Sequence, residues 1–461
     1  MGSTARASHA LCARTCRFLS GRTASRPGLS TRRPAAAAAE RAGGSSAHRG
    51  PGRRGWQWRA VRARLDVAVR PDTYRQELDV KIERARSHFA AAPAPAPTPE
   101  VPHPKPLEEI HLPPTEVHES ARSNFRMRAE FRVWHDGDRS YLAMFDSDDP
   151  KTPIEVPSFP MGSEKINELM PAFIEEIGRS EVIRRKLFQV NFLTTMKGDA
   201  LISMLYHKPV KTDEWEREAE EMRQRLGVSI IGRSRKQKVV LGNDYVMEEI
   251  EVDGRVLTYK QLEGGFTQPN AGISAKMLEW ARSTAVSDSA DAVGEATAPA
   301  RRNDDLLELY CGNGNFTIAM APMFRAVLAT EVSKVSVAAA KLNAVANDAG
   351  NVAFARLSSE ELTLALDQGK RFSRLDDVPP LESYDLRTVL VDPPRAGMGE
   401  EVSEFVSRFD RIVYISCNPE TLAADARTLR ETHEVARFAA FDQFPYTPHL
   451  ECGALLVAKG R

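Results

Sequence analysis

After residue 262 the chain alternates short apolar runs with segments of helical spacing, and no other feature restricts the fold as much. Met277–Thr284 continues a helix, a polar loop follows from 287 to 304, and DLLELY then reads as a buried strand. Further strands are predicted at Ala326–Thr330, Asn351–Phe354, Thr388–Val391, Arg411–Ile415, Ala436–Phe441 and Ala454–Ala458. Helical segments between strands of one sheet imply parallel crossovers. The expected fold class is therefore α/β, a doubly wound sheet whose ligands sit beyond the C-terminal strand ends at the switch point. The last two strands lie close enough in sequence to pair antiparallel.

Upstream the pattern differs. Thr73 to Phe89 alternates apolar and charged residues at helical spacing, and the proline-dense run from 90 to 106 then forbids a helix and predicts a linker or strap. Residues 124–145 read as two strands joined at His135-Asp136-Gly137-Asp138, and a second pair is predicted at Phe188–Thr194 and Ala200–His207. Arg126, Arg128 and Arg132 recur at period two and are expected on one sheet face; Arg233, Arg235, Lys236 and Lys238 add to the charge. With Phe125, Trp134 and Phe188 nearby, this basic surface suits phosphate contact and base stacking, or else is a solvated sheet face.

The chain's 63 basic and 63 acidic residues are unevenly placed: the first 60 residues hold twelve arginines and one acid, the remainder 51 basic and 62 acidic side chains. An arginine-rich, acid-poor start reads as a transit peptide over residues 1–65, with plastid or mitochondrion as destination; a basic arm that helps bind nucleic acid is the alternative. No stretch approaches the roughly 18 apolar residues of a membrane span. Beyond the leader only Cys311, Cys417 and Cys452 remain, too scattered for a disulfide framework, a zinc site or an iron–sulfur cluster.

The first strand of the second half leads into Tyr310-Cys311-Gly312-Asn313-Gly314-Asn315, where two glycines let the backbone approach a ligand closely. The third glycine of the dinucleotide pattern is missing, and Glu331 follows Gly314 by seventeen residues, placed to accept ribose hydroxyl hydrogen bonds. That combination favours S-adenosylmethionine over a nicotinamide dinucleotide. Asp392-Pro393-Pro394 forms a rigid pocket edge, which by itself leaves the target atom open. Cys417 ends a strand just before a proline-led helix, where helix-terminal N–H groups can stabilise a thiolate, and is the candidate nucleophile. Glu451 starts the final strand and is the candidate base; His449 is the rival base and Cys452 the weaker rival nucleophile.

FTQPN, LELYCGNGNF, VLATE, VDPPR, ISCNPETL and FDQFPYTPHLECG, in this order, resemble the tRNA (uracil-5-)-methyltransferase family, and FRMRAEFRVWHDGD with the LYH and IGR segments extends the resemblance from about Thr73 to Lys459. It implies an α+β RNA-recognition domain over 66–262 and a Rossmann-like methyltransferase domain over 263–461, monomeric and without metal. It further implies that Gln268, Tyr310, Asn315, Glu331 and Asp392 line the S-adenosylmethionine site, with Cys417 as nucleophile and Glu451 as proton acceptor. Phe188, Arg126, Arg128 and Arg132 would belong to the RNA surface. The implied product is ribothymidine at position 54 of the tRNA T-arm. A ribosomal or transfer-messenger RNA substrate, or a tRNA-folding chaperone with dispensable catalysis, are the alternatives. The chemistry suits a thiolate, because carbon 5 of uracil becomes nucleophilic only after addition at carbon 6.

Overall fold

The computed structural model describes residues 68–92, 106–146, 149–285, 287–288 and 301–460. The expected leader and positions 93–105 of the strap lie outside them. In chain order the elements are α1 (Tyr74–Ser87), β1 (Thr115–His118), β2 (Arg128–Asp136), β3 (Arg139–Phe145), β4 (Pro153–Glu155), α2 (Glu164–Arg179) and α3 (Glu181–Arg184). Next come β5 (Leu187–Thr194), β6 (Ala200–Tyr206), α4 (Asp213–Leu226), β7 (Ser229–Ser234), β8 (Gln237–Leu241), β9 (Tyr245–Val252), β10 (Arg255–Leu262) and α5 (Ala271–Thr284). The rest is β11 (Asp305–Leu309), α6 (Asn315–Met320), β12 (Val327–Thr330), α7 (Lys334–Ala346), β13 (Val352–Ala355), α8 (Ser359–Gln368), β14 (Leu386–Val391), α9 (Gly399–Val406), β15 (Arg411–Ser416), α10 (Pro419–Leu429), β16 (His433–Phe441) and β17 (Glu451–Ala458).

Among the described residues eight strands form one sheet in the order β1-β16-β17-β15-β14-β11-β12-β13. All five residues of β11 are buried, as a parallel strand covered by helices on both faces requires. The chain leaves β11 for β12 and β13 on one side and returns to β14 on the other, so the switch point lies between β11 and β14. As expected from the short spacing, β17 runs antiparallel to β16, and it pairs antiparallel with β15 as well.

Seven strands form a second sheet, β4-β3-β2-β5-β6-β7-β8. Along β2 the side chains of Ala129, Phe131 and Val133 are buried while Glu130, Arg132 and Trp134 face solvent, the period-two alternation of a one-sided sheet. The covered face packs on α2 and α4, with Phe192 edge-on to both Phe131 and Phe173.

Two features depart from the expected organisation. The stretch 66–262 serves both sheets, since β1 pairs in parallel with β16 and α1 packs on α10. The β9–β10 hairpin in turn leans on α7, where Asn343 and, just past the helix end, Asn347 accept from the backbone N–H groups of Lys260 and Thr258. Secondly, Arg126 precedes β2: its backbone bonds Met161 and Ser163, outside the ladder that would align it with Arg128 and Arg132. No helix among the described residues is long and apolar enough to cross a membrane.

Candidate active site at the strand ends

The parallel strands β11, β12, β14 and β15 finish at one edge of the eight-stranded sheet, and β17, running the other way, begins there. Ser416 faces Cys452 across β15 and β17, so the next pair outward is Cys417 and Glu451. Topology alone brings together a thiol and a carboxyl that are distant in sequence. Cys417 is half-buried and Glu451 is 5% exposed.

Burial sets the protonation here. The Glu451 carboxyl is pushed up to about 8, first by desolvation and then by Asp392, with Arg395 opposing. Desolvation likewise lifts Asp392 to about 7. The Cys417 thiol is raised above its ordinary value by burial, then by Glu451 and Asp392, again against Arg395. The helix-end N–H groups are engaged elsewhere: Asn418 Oδ1 takes the Glu420 N–H, and Ser416 Oγ takes the Asn418 N–H. Cys417 therefore rests as a thiol that must lose its proton when it reacts.

The loop beyond β11 turns tightly. Tyr310, Gly312 and Gly314 have φ of 63, 55 and 85°, and a left-handed Tyr310 carries about 1–3 kcal/mol of strain that surrounding packing must hold. Glu331 accepts from Gly312 N at 3.2 Å and from Ser333 N at 2.7 Å, which leaves other carboxylate lone pairs open to a ligand. Asn315 begins α6; its side chain reaches Ser274 Oγ at 3.4 Å, and its carbonyl accepts from Tyr259 Oη at 2.9 Å. Gln268 Oε1 accepts from Gln443 Nε2 at 2.6 Å, joining the loop before α5 to the loop after β16. Tyr310, Glu331, Asp392, Cys417 and Glu451 thus share one edge, with Gln268 tied to it through Gln443.

The rivals separate. Cys452 is fully buried with its thiol raised by desolvation, as is Cys311, so both are core thiols. His449 lines the same cleft as Cys417, its pKa lowered by burial and by Arg395, Lys81 and Arg84.

The structure adds groups the sequence reading passed over. Glu308, mid-strand in β11, is 1% exposed, raised to about 8 chiefly by desolvation, and its Oε2 has no partner among the described residues. An acid inside an apolar run was the available signal. Lys81 of α1 bonds Asp442 Oδ1 at 2.5 Å and the carbonyls of Phe444 and His449 at 3.0 and 3.2 Å, which fastens the loop carrying Glu451. Nothing in the sequence pairs positions so far apart. Asp425 accepts from Met398 N and Tyr414 Oη, pinning the loop that bears Asp392 and Arg395.

On the seven-stranded sheet, Arg128 donates to the Gly265 carbonyl, and Arg132 lies 5.4 Å over the Phe188 ring, which stacks on His207 at 3.9 Å. Arg233 and Lys238 are ion-paired with Glu263, and Lys238 also with Asp244, so the basic run is partly neutralised and only Arg235 and Lys236 extend freely into solvent at the β7–β8 turn. The expected cluster is narrower than its sequence.

Residues 104–459 match the family model described as tRNA (Uracil-5-)-methyltransferase. A tRNA/tmRNA (uracil-C(5))-methyltransferase of Pseudomonas savastanoi pv. phaseolicola is 48% identical over 395 residues, 86% of this chain and 100% of its own. The protein of that name from Azotobacter vinelandii is 52% identical over 350 residues, 76% of this chain and 92% of its own. The fold is similar to that of the Pyrococcus abyssi tRNA (uracil-54, C5)-methyltransferase solved with S-adenosyl-L-homocysteine, with TM-score 0.60, 19% identity and 86% of each chain covered.

Proposed function

The chain belongs to the tRNA (uracil-5-)-methyltransferase family, and from that premise we propose that it methylates carbon 5 of uridine 54 in the tRNA T-loop, with S-adenosylmethionine as donor and ribothymidine as product. The observation that carries the reading is the opposition of Cys417 and Glu451 at the ends of β15 and β17, beside the turn from Tyr310 to Gly314.

The donor fits these residues. Glu308 Oε2 and Gln443 Oε1 are buried acceptors without partners among the described residues, and a ligand with cationic N–H donors would satisfy such groups. Glu331 would take the ribose hydroxyls, with Gln268, Tyr310, Asn315 and Asp392 around the remainder. When bound, the donor supplies an electrophilic methyl group on a sulfonium.

The protein's own part follows from its acids and its thiol. Cys417, which is only half-buried, gives its proton to solvent and adds through Sγ to carbon 6 of the uracil, which places electron density on carbon 5. After methylation carbon 5 still bears its hydrogen. Glu451 in its ionised form accepts that proton, and the ring then expels the Cys417 sulfur as carbon 5 and carbon 6 regain their double bond. A buried carboxyl with an elevated pKa is a stronger base than an exposed one, matching this removal of a carbon-bound proton. Arg132, Phe188 and His207 would meet RNA on the solvent face of the seven-stranded sheet, with Arg126 and Arg128 ordering the chain behind them.

Methyl incorporation into a tRNA transcript, compared with one carrying cytidine at position 54, tests the assignment. Label is expected in the first and absent from the second; equal label in both would refute the site. The relatives' name also includes tmRNA, so a tmRNA transcript with the same loop is the second substrate to assay.

A further inference from the structure

Next to the Cys417–Glu451 pair is a cleft of about 220 Å³, walled by Lys81 and Arg84 of α1, by His88 just past its end, and by Arg395, Cys417 and His449. No carboxylate lines it among the described residues. Lys81 is already neutralised by Asp442, but the other cations are not. The Arg84 guanidinium donates only to the Pro448 carbonyl, and that of Arg395 has no hydrogen-bond or ion-pair partner among the described residues. In a chain whose residues after position 60 hold 62 acids against 51 bases, and where many arginines are ion-paired, two unneutralised guanidiniums on facing elements call for an anion from outside.

We infer that Arg84 and Arg395 clamp a phosphodiester next to the target nucleotide. This rests on the function proposed above: a base that reaches Cys417 must leave its stack, and its flanking phosphates are then carried to the mouth of the cleft. A guanidinium presents a planar fork of donors that matches phosphate oxygens, which suits it to the task. Helix α1, contributed from ahead of the RNA-facing sheet, grips the backbone while β15 and β17 act on the base. The clamp orients one nucleotide; it does not read sequence.

The test uses the full chain and a T-arm stem-loop RNA whose linkage 5′ or 3′ of the target uridine is an uncharged methylphosphonate. Arg84 is exposed, so Arg84→Ala leaves the fold intact. On native RNA the variant is expected to bind about tenfold more weakly, with the salt slope reduced by about 1. At one of the two linkages the methylphosphonate should weaken the unaltered protein similarly, and Arg84→Ala should add no further loss there. Arg84→Lys should fall between. Undiminished penalties from Arg84→Ala on both neutral-linkage RNAs overturn the clamp. Methyl transfer by the unaltered protein is measured in the same samples: its absence with the coupling intact would remove the proposed function and leave the clamp, and the reverse pattern would do the opposite.

Discussion

Glu451 and Asp392 stand on either side of β15 at the same edge of the sheet, with carboxyls raised to about 8 and about 7, chiefly by burial. A base must be ionised to accept a proton, so kcat should climb with pH through a limb between about 7 and 8 that belongs to the pair rather than to either acid. Replacing Glu451 by Gln should abolish turnover while leaving adduct formation, which precedes removal of the carbon 5 proton, in place. Stability runs the opposite way. The folded state keeps protons on Glu451 that the unfolded chain sheds above its ordinary 4.5, so unfolding free energy should fall as pH rises from about 4.5 to about 8. Urea midpoints at these two limits check the sign, and Glu451→Gln should flatten the difference; an unchanged slope would argue that Glu451 titrates normally. At this scale Cys417 and Glu451 were legible because a thiol and an acid stood at predicted strand ends. Their protonation was not, since burial depends on neighbours that sequence does not name. The Cys417 thiol, raised by burial and then by Glu451 and Asp392, is a clear instance.

At the scale of elements, helix α1 matters more than its position suggests. Its Lys81 is 5% exposed and donates to Asp442 Oδ1 and to two carbonyls of the loop leading to Glu451. Lys81→Met leaves a buried carboxylate without its cation and should cost about 3 kcal/mol or more, with partial recovery in the Lys81→Met, Asp442→Asn double variant. Urea denaturation reads this directly, and no loss of stability would mean the pair is not buried in solution. A second element is held by close approach: at Gly453 of β17 an added Cβ would lie 2.7 Å from Trp280 and 3.0 Å from Phe441. Gly453→Ala should therefore lower stability by about 1–3 kcal/mol without altering the urea m-value. Strands β11 to β17 were readable from apolar periodicity, and the two hairpins from their turn residues. The addition of β1 to the far edge was not, because four half-buried residues carry no signal of which sheet they join. Arg126 misled for a related reason: period two was extended one residue pair beyond where the ladder begins.

For the whole molecule, the two sheets divide the work proposed here, one presenting Arg132, Phe188 and His207 to RNA and the other carrying the reacting groups. The acidic excess after residue 60 makes local charge decisive, since association with RNA depends on the cations that actually meet phosphates. Ion pairing in the structure shows which cations remain available, something net charge could not. All of these assignments converge on a bond between Cys417 Sγ and the pyrimidine. Stem-loop RNA with 5-fluorouridine at the target position, incubated with S-adenosylmethionine and analysed by intact mass, tests it most directly, because fluorine cannot be abstracted as a cation. A stable one-to-one protein–RNA adduct bearing one added methyl is expected, retained in Glu451→Gln and absent from Cys417→Ser. An adduct of the same mass in the Cys417→Ser protein would contradict it.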